Sequence, residues 1–295
     1  MKENQRNLKS IKLEMALPLL TIFHASILVL FTLFSFSMIS HADTENETLL
    51  PIDSRIPGGI AVIPLKDKTD NVSFKGKKVW KVNDRNDQTW AVIGIPLSQK
   101  VGQVEYKING KDFSFSIKDK AYREQHLTVK RKHSNPPADQ IKRIQKESRL
   151  SKTAFTTFSN INKNKPYEPF LLPAKGPISS PFGLKRFFNE QARRPHSGID
   201  IAAPRGSNII APADGEVILT GEFFFNGNSI FIDHGQGLIT MYCHMDQLDI
   251  AMGDTVKAGD VIGKVGSTGR VTGPHLHWTV SLNNSRIEPL LFTEN

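Results

Sequence analysis

The sequence predicts a mainly β protein, with a small N-terminal β-domain, a helical linker and a C-terminal domain of antiparallel β-sheet. Three observations carry this. Residues 101–108 and 111–117 alternate around Asn109-Gly110, the strongest short-range hairpin signal, because a type I′ turn needs positive φ at both central positions. From about Tyr167 onward, short β-branched runs at 207–210, 215–219, 229–232, 238–242, 261–265 and 276–280 are separated by Gly, Pro, Asp and Asn turns. That texture belongs to an all-β domain. Between the two regions, residues 138 to about 155 carry a helical pattern, with Ile141, Ile144 and Leu150 apolar among Lys, Arg and Gln.

In chain order, residues 1–42 read as an export segment. Lys2, Arg6, Lys9 and Lys12 precede a stretch from Ala16 to Ser40 without formal charge, and Ser40-His41-Ala42 offers a small-residue cleavage pattern. The apolar run is longer than the ~7–15 residues of a usual signal core and reaches the ~20 of a membrane span. A cleaved signal peptide and a retained membrane anchor both fit. Either one exports everything after residue 43, to the periplasm or cell envelope, since the positive flank stays in the cytoplasm.

Residues 52–118 read as a small β-sandwich or barrel, with further strands at 58–64 and 89–95 and no candidate reaction centre. Residues 119–166 form a basic linker with one helix. In it Lys130-Arg131-Lys132-His133 precedes Asn135-Pro136-Pro137, which breaks any regular element. No stacking aromatics accompany the basic cluster, so a solvated face fits it better than nucleic acid. Residues 167–295 complete the chain. The formal net charge of +9 suits an anionic partner, such as an acidic envelope polymer, and equally suits simple solubility. A single cysteine, Cys243, rules out an intrachain disulfide.

The chemistry-bearing residues lie in the C-terminal domain. In Gly273-Pro274-His275-Leu276-His277, period-2 alternation puts both imidazoles on one strand face and Leu276 on the other. Alone, this is as readily two surface histidines beside a turn. Upstream, His196-Ser197-Gly198-Ile199-Asp200 places an imidazole and a carboxylate four residues apart in an extended stretch, again on one face. With one member of the His275/His277 pair they make a His, Asp, His set. Three protein ligands and an open fourth position are the pattern of a catalytic zinc. Zinc lowers the pKa of bound water to about 7 and polarises a carbonyl under attack. Spacing leaves open which of His275 and His277 is the ligand.

His244, in the strand-like Met241-Tyr242-Cys243-His244-Met245, suits proton transfer or oxyanion stabilisation if it faces the metal. Alternation places His244 with Tyr242 and puts Cys243 on the opposite face, so Cys243 reads as a buried structural residue. His234, in a turn, also reads as structural. Arg270 suits a substrate carboxylate or plain turn service. Arg186 and Asn189, on the loop before His196, are candidates for lining a substrate groove.

These segments, with Ser180-Pro181-Phe182-Gly183, Ala211-Pro212-Ala213-Asp214-Gly215, Gly253-Asp254 and Gly266-Ser267-Thr268-Gly269-Arg270, resemble the lysostaphin-like (LytM-type) M23 zinc metallopeptidases over roughly residues 170–292. Residues 52–118 resemble the β-domain that precedes the peptidase in some of these proteins. The resemblance implies one zinc held by His196, Asp200 and His277, with His244 and His275 as catalytic histidines. It implies cleavage of peptide cross-links in peptidoglycan, either glycine bridges or D-Ala–diaminopimelate bonds. The N-terminal resemblance to Gram-negative proteins favours the second. The alternative it leaves is a metal-free regulator that activates other wall hydrolases, against which the ligand set and both histidines stand intact. Met245 replaces an expected Leu, a volume-conserving change. Residues 52–165 are expected either to cover the catalytic groove or to target the substrate.

Overall fold

A computed structural model describes residues 49–128, 136–163 and 165–294. The expected export segment (1–42) and the basic cluster (130–133) lie outside the described residues. Among the described residues, no helix is long and apolar enough to cross a membrane.

The N-terminal region runs β1 (Ile60–Pro64), β2 (Val72–Phe74), β3 (Lys77–Lys78), β4 (Trp80–Asn83), β5 (Thr89–Gly94), β6 (Gly102–Ile108) and β7 (Lys111–Ile117). It is a sandwich of a three-stranded sheet, β1-β5-β4, and a four-stranded one, β3-β2-β6-β7. Ala61, Ile63, Ala91 and Ile93 of the first meet Val72, Phe74, Tyr106 and Phe115 of the second. Asn109 and Gly110 take φ of 50° and 79°, as the hairpin turn between β6 and β7 requires.

The other face of the three-stranded sheet is also buried. Ile60, Val62, Trp80, Val82 and Val92 share one core with Tyr167, Phe170, Tyr242, Trp278 and Phe292 of the C-terminal region. Burial on both faces explains why β1 and β5 are continuously apolar rather than alternating. Trp80 anchors the seam, with ring centroids 6.1 Å from Tyr167 and 6.0 Å from Phe292. Each such pair adds about 0.5–1.5 kcal/mol beyond its area.

Then come β8 (Glu124–Leu127) and the helix α1 (Ile141–Phe155), which follows a short 3-10 turn at Ala138–Gln140. The sequence pattern anticipates the helix. Phe155 at its end packs on Phe231 with centroids 5.2 Å apart.

The C-terminal region holds β9 (Ile178–Ser180), β10 (Lys185–Phe188), β11 (Gln191–Ala192), β12 (Ile199–Ile201), β13 (Asn208–Ile210), β14 (Gly215–Phe223), β15 (Gly227–Asp233), β16 (Leu238–Leu248), β17 (Thr255–Val256), β18 (Val261–Val265), β19 (Leu276–Leu282) and β20 (Ser285–Ile287). A ten-stranded antiparallel sheet runs β17-β14-β15-β16-β19-β12-β9, with β18 bridging β16 to β13 and β20 on β19. One face carries the shared core. On the other, Phe231, Ile239, Met241 and Cys243 pack under α1.

β8 is a departure from the expected linker. It pairs in parallel with β10, which carries β11 on its other edge. Tyr122, just before β8, fixes the approach. Its hydroxyl donates to Pro57 O at 2.6 Å. Its ring lies where a Cβ on Gly183 would stand, 2.1 Å away, and Gly183 has φ of +75°. Both facts require glycine in the Ser-Pro-Phe-Gly turn.

Candidate metal centre

The centre is assembled where β12, β19 and β16 lie side by side. Asp200 and His277 are opposite each other in the β12–β19 register, so their side chains share a face. His196 enters from the turn before β12. Gly198 lets that turn close against β19, since a Cβ there would meet Trp278 O at 2.3 Å.

Three atoms converge. His196 Nε2 lies 3.0 Å from Asp200 Oδ1 and 3.0 Å from His277 Nδ1, and His277 Nδ1 is 2.8 Å from Asp200 Oδ1. His196 Nδ1 donates to the carbonyl of Pro181 at 2.9 Å. That fixes the tautomer, because a carbonyl can only accept. Its Nε2 is then a lone pair facing a carboxylate oxygen at 3.0 Å. Two acceptors at that distance need a proton or a cation between them. His277 Nε2 is occupied by Thr279 Oγ1 at 2.9 Å. Outer partners of this kind orient metal-bound histidines. The residues therefore fit a metal. Ligands at the ~2.0–2.1 Å typical of zinc, arranged tetrahedrally, stand about 3.3 Å apart, a few tenths wider than here.

Electrostatics agree. Burial pushes the Asp200 carboxyl up, but the imidazoles of His196 and His277 beside it outweigh this and hold it well below the usual carboxylate range. Burial lowers His277, partly offset by its hydrogen bond to Asp200. Both directions favour the ligating forms.

His275 sits at the rim, its Nε2 3.8 Å from Asp200 Oδ1. Its Nδ1 donates to Gly273 O at 2.9 Å. The geometry thus separates the two histidines that spacing left equivalent: His277 is in the convergent set and His275 beside it. His244 completes the group, its ring centroid 4.9 Å from that of His275 and 6.1 Å from that of His277. His244 Nδ1 donates to Thr268 O at 3.0 Å. Burial first, then nearby imidazoles, pull His244 down to about 4, so it is neutral at physiological pH.

His244 does not arrive by strand alternation. Its φ is +62°, and the β15–β16 register shifts beside it. Alternation would place it with Tyr242 in the core; the bulge turns it into the groove and returns Met245 to the core instead. A non-glycine residue in this conformation stores of order 1–3 kcal/mol. Thr268 helps hold it there, its Oγ1 donating to Met245 O at 2.8 Å. Thr268 was visible in the sequence only as part of a Gly-rich motif.

Cys243 lies opposite Tyr242, as alternation places it, and it is His244 that departs. Cys243 is paired with His277 in the β16–β19 register and shares that face. It is structural all the same, fully buried under α1, with burial pushing its thiol up to about 12. His234 is structural too, its ring between Asp214 O and Thr240 Oγ1, both at 2.8 Å. Burial lowers it to about 4, against the raising influence of the Asp214 carbonyl. Its folded value lies below the ordinary 6.5, so the unfolded chain binds the proton more tightly. Stability is fully present above pH 6.5 and is lost as pH falls toward 4. Chemical denaturation of His234→Gln should show about 2 kcal/mol less loss between pH 7 and pH 4.5 than wild type. Identical pH dependence would refute this.

A groove of about 980 Å³ opens over the centre. Arg186 and Arg270 line it, as expected of groove candidates. Asn189 does not; it sits in the exposed turn after β10 with φ of 49°. Of the described residues between 49 and 163, Gln125 and Leu127 contribute to the lining. Among the described residues, none of the β-domain 52–118 lines the groove.

Comparison with known proteins gives concordant matches. The Peptidase family M23 profile matches residues 194–289, and that of the Peptidase family M23 N-terminal domain matches residues 53–120. A crystal structure from Pseudomonas aeruginosa, described as that of a candidate M23 peptidase, superposes with a TM-score of 0.67 at 38% identity, covering 82% of this chain and 96% of that one. The DD-carboxypeptidase/endopeptidase Mpg of Neisseria meningitidis serogroup B is 43% identical over 113 residues, 38% of this chain and 26% of that protein. The peptidoglycan DD-endopeptidase ShyA of Vibrio cholerae is 37% identical over 113 residues, with the same shares. The match thus spans about a quarter of the length of these curated relatives.

Proposed function

The chain belongs to peptidase family M23, and we propose that it is a zinc-dependent endopeptidase cleaving peptide cross-links of peptidoglycan outside the cytoplasm. The observation that carries this is the convergence of His196 Nε2, Asp200 Oδ1 and His277 Nδ1 within 2.8–3.0 Å of one another on the floor of an open groove. Residues 167–295 are the catalytic domain in this reading, residues 52–118 an N-terminal β-domain and 119–166 the connection. Mpg and ShyA support the substrate class by their names, and the D-Ala–diaminopimelate bond is the favoured cross-link.

His196, Asp200 and His277 would hold the zinc. Bound there, zinc supplies Lewis acidity and makes a water acidic enough to attack near neutral pH. The chain's own contribution is proton handling. His244 and His275 each have Nδ1–H committed to a backbone carbonyl, Thr268 O and Gly273 O. Each is therefore a base at Nε2. A base so placed accepts the proton that the attacking water gives up and, once charged, steadies the oxyanion or protonates the leaving amine. The fixed rings remove reorganisation from the step.

The test is mass analysis of fragments released from purified peptidoglycan by the purified protein, with and without a chelator. New peptide ends should form, vanish with chelator and return with added zinc. Unchanged release under chelation would overturn the reading, and the masses would identify the bond.

A further inference from the structure

The segment joining the two domains builds one wall of the groove. β8 lies outside both matched regions, 53–120 and 194–289. Its register with β10 pairs Gln125 with Arg186 and Leu127 with Phe188. Paired residues share a face, and all four line the groove. Glu124 and His126 point the other way, to Lys185 at 3.1 Å and onto the Phe187 ring with centroids 4.5 Å apart. β8 is thus ordered by its outer face while its inner face is presented to the groove. Leu127 remains 38% exposed there, an apolar side chain placed where a ligand would cover it.

The charge of the groove narrows the ligand. Among the described residues, Arg186, Arg194 and Arg270 line it, against a single acid, Asp200, which is committed to the histidine cluster. Arg186 connects wall and centre: it donates to Ser180 Oγ at 2.9 Å and lies 3.9 Å from Asp200 Oδ2. A guanidinium has further N–H donors beyond that bond, suited to a carboxylate.

We infer that the β8–β10 face is a specificity-determining subsite, in which Leu127 and Phe188 cover an aliphatic stem while Gln125 and Arg186 take a carboxylate of the peptide flanking the cleaved bond. This rests on the groove being the peptide-binding site of the proposed function. It assigns the connecting segment a part in substrate reading.

Binding is measured separately from cleavage. Soluble cross-linked muropeptides are titrated into full-length His275→Ala protein, and into the same protein carrying Leu127→Asp, Gln125→Glu or, on the outer face, Glu124→Gln. Leu127→Asp should weaken binding about tenfold and Gln125→Glu several-fold, through like-charge repulsion and lost apolar contact. Glu124→Gln should leave it unchanged. Amidating the muropeptide carboxylates should erase the Gln125→Glu difference. Equal binding by all variants, or no binding by any, would overturn the inference. If the pattern holds while wild type releases no peptide, the subsite stands and the proposed reaction falls.

Discussion

Replacing Asp200 with Asn is expected to strip the metal and to lower cleavage on the order of 10³-fold. Asn keeps the shape and one oxygen but loses the charge. In the present arrangement that charge faces His196 Nε2 at 3.0 Å and His277 Nδ1 at 2.8 Å. Without it, two imidazoles remain as neutral ligands for a divalent ion, and nothing in the set offsets the ion's charge in a partly buried site. The rate estimate follows because a Lewis-acidic ion contributes several kcal/mol to the transition state, and each 1.36 kcal/mol is tenfold. Elemental analysis should read close to one zinc per chain for wild type and close to none for the variant. Thermal melting in chelator separates metal loss from misfolding: the variant and chelated wild type should then melt within a few degrees of each other. An Asp200→Asn protein that keeps its zinc and cleaves within tenfold of wild type would refute the ligand assignment.

The proposed ligand set was partly legible because its pairs are local. His196 and Asp200 lie four residues apart in an extended stretch, and His275 and His277 lie two apart, so period 2 alone puts each pair on one face. The strands around them were legible because β-branched runs ended in glycine and asparagine turns. What escaped was set by tertiary context. β8 reads Glu-Gln-His-Leu, a polar stretch with no strand signal of its own. It is held by pairing with β10 and by Tyr122 against Gly183. The groove face of His244 escaped for another reason. A bulge with a non-glycine residue at φ of +62° has no sequence mark, and alternation applied through it gave the wrong face for His244. Nor could periodicity choose between His275 and His277. The family resemblance made that choice, and the 3.0 Å approach of His196 to His277 supports it.

That choice is also where mutation is most informative. His275→Ala is expected to keep its zinc and to lose about 10²–10⁴ in kcat, the usual contribution of a positioned acid–base group. His277→Ala should lose zinc and rate together. The two differ by one step along the strand face, so bulk effects on the sheet should be similar and the metal readout should divide them. His275 is the cleaner probe than His244. Its Nδ1 partner, Gly273 O, belongs to a turn at the groove rim, where water can replace the lost donor. Truncating His244 removes the donor to Thr268 O, whose own residue braces the bulge. Alanine would also inherit the strained backbone at that position. A rate loss in His244→Ala would therefore mix chemistry with stability, whereas His275→Ala isolates chemistry. If His275→Ala instead released zinc while His277→Ala retained it, the two histidines would exchange roles: the convergence of His277 with His196 and Asp200 would then be a hydrogen-bonded arrangement, and the third ligand would come from the rim.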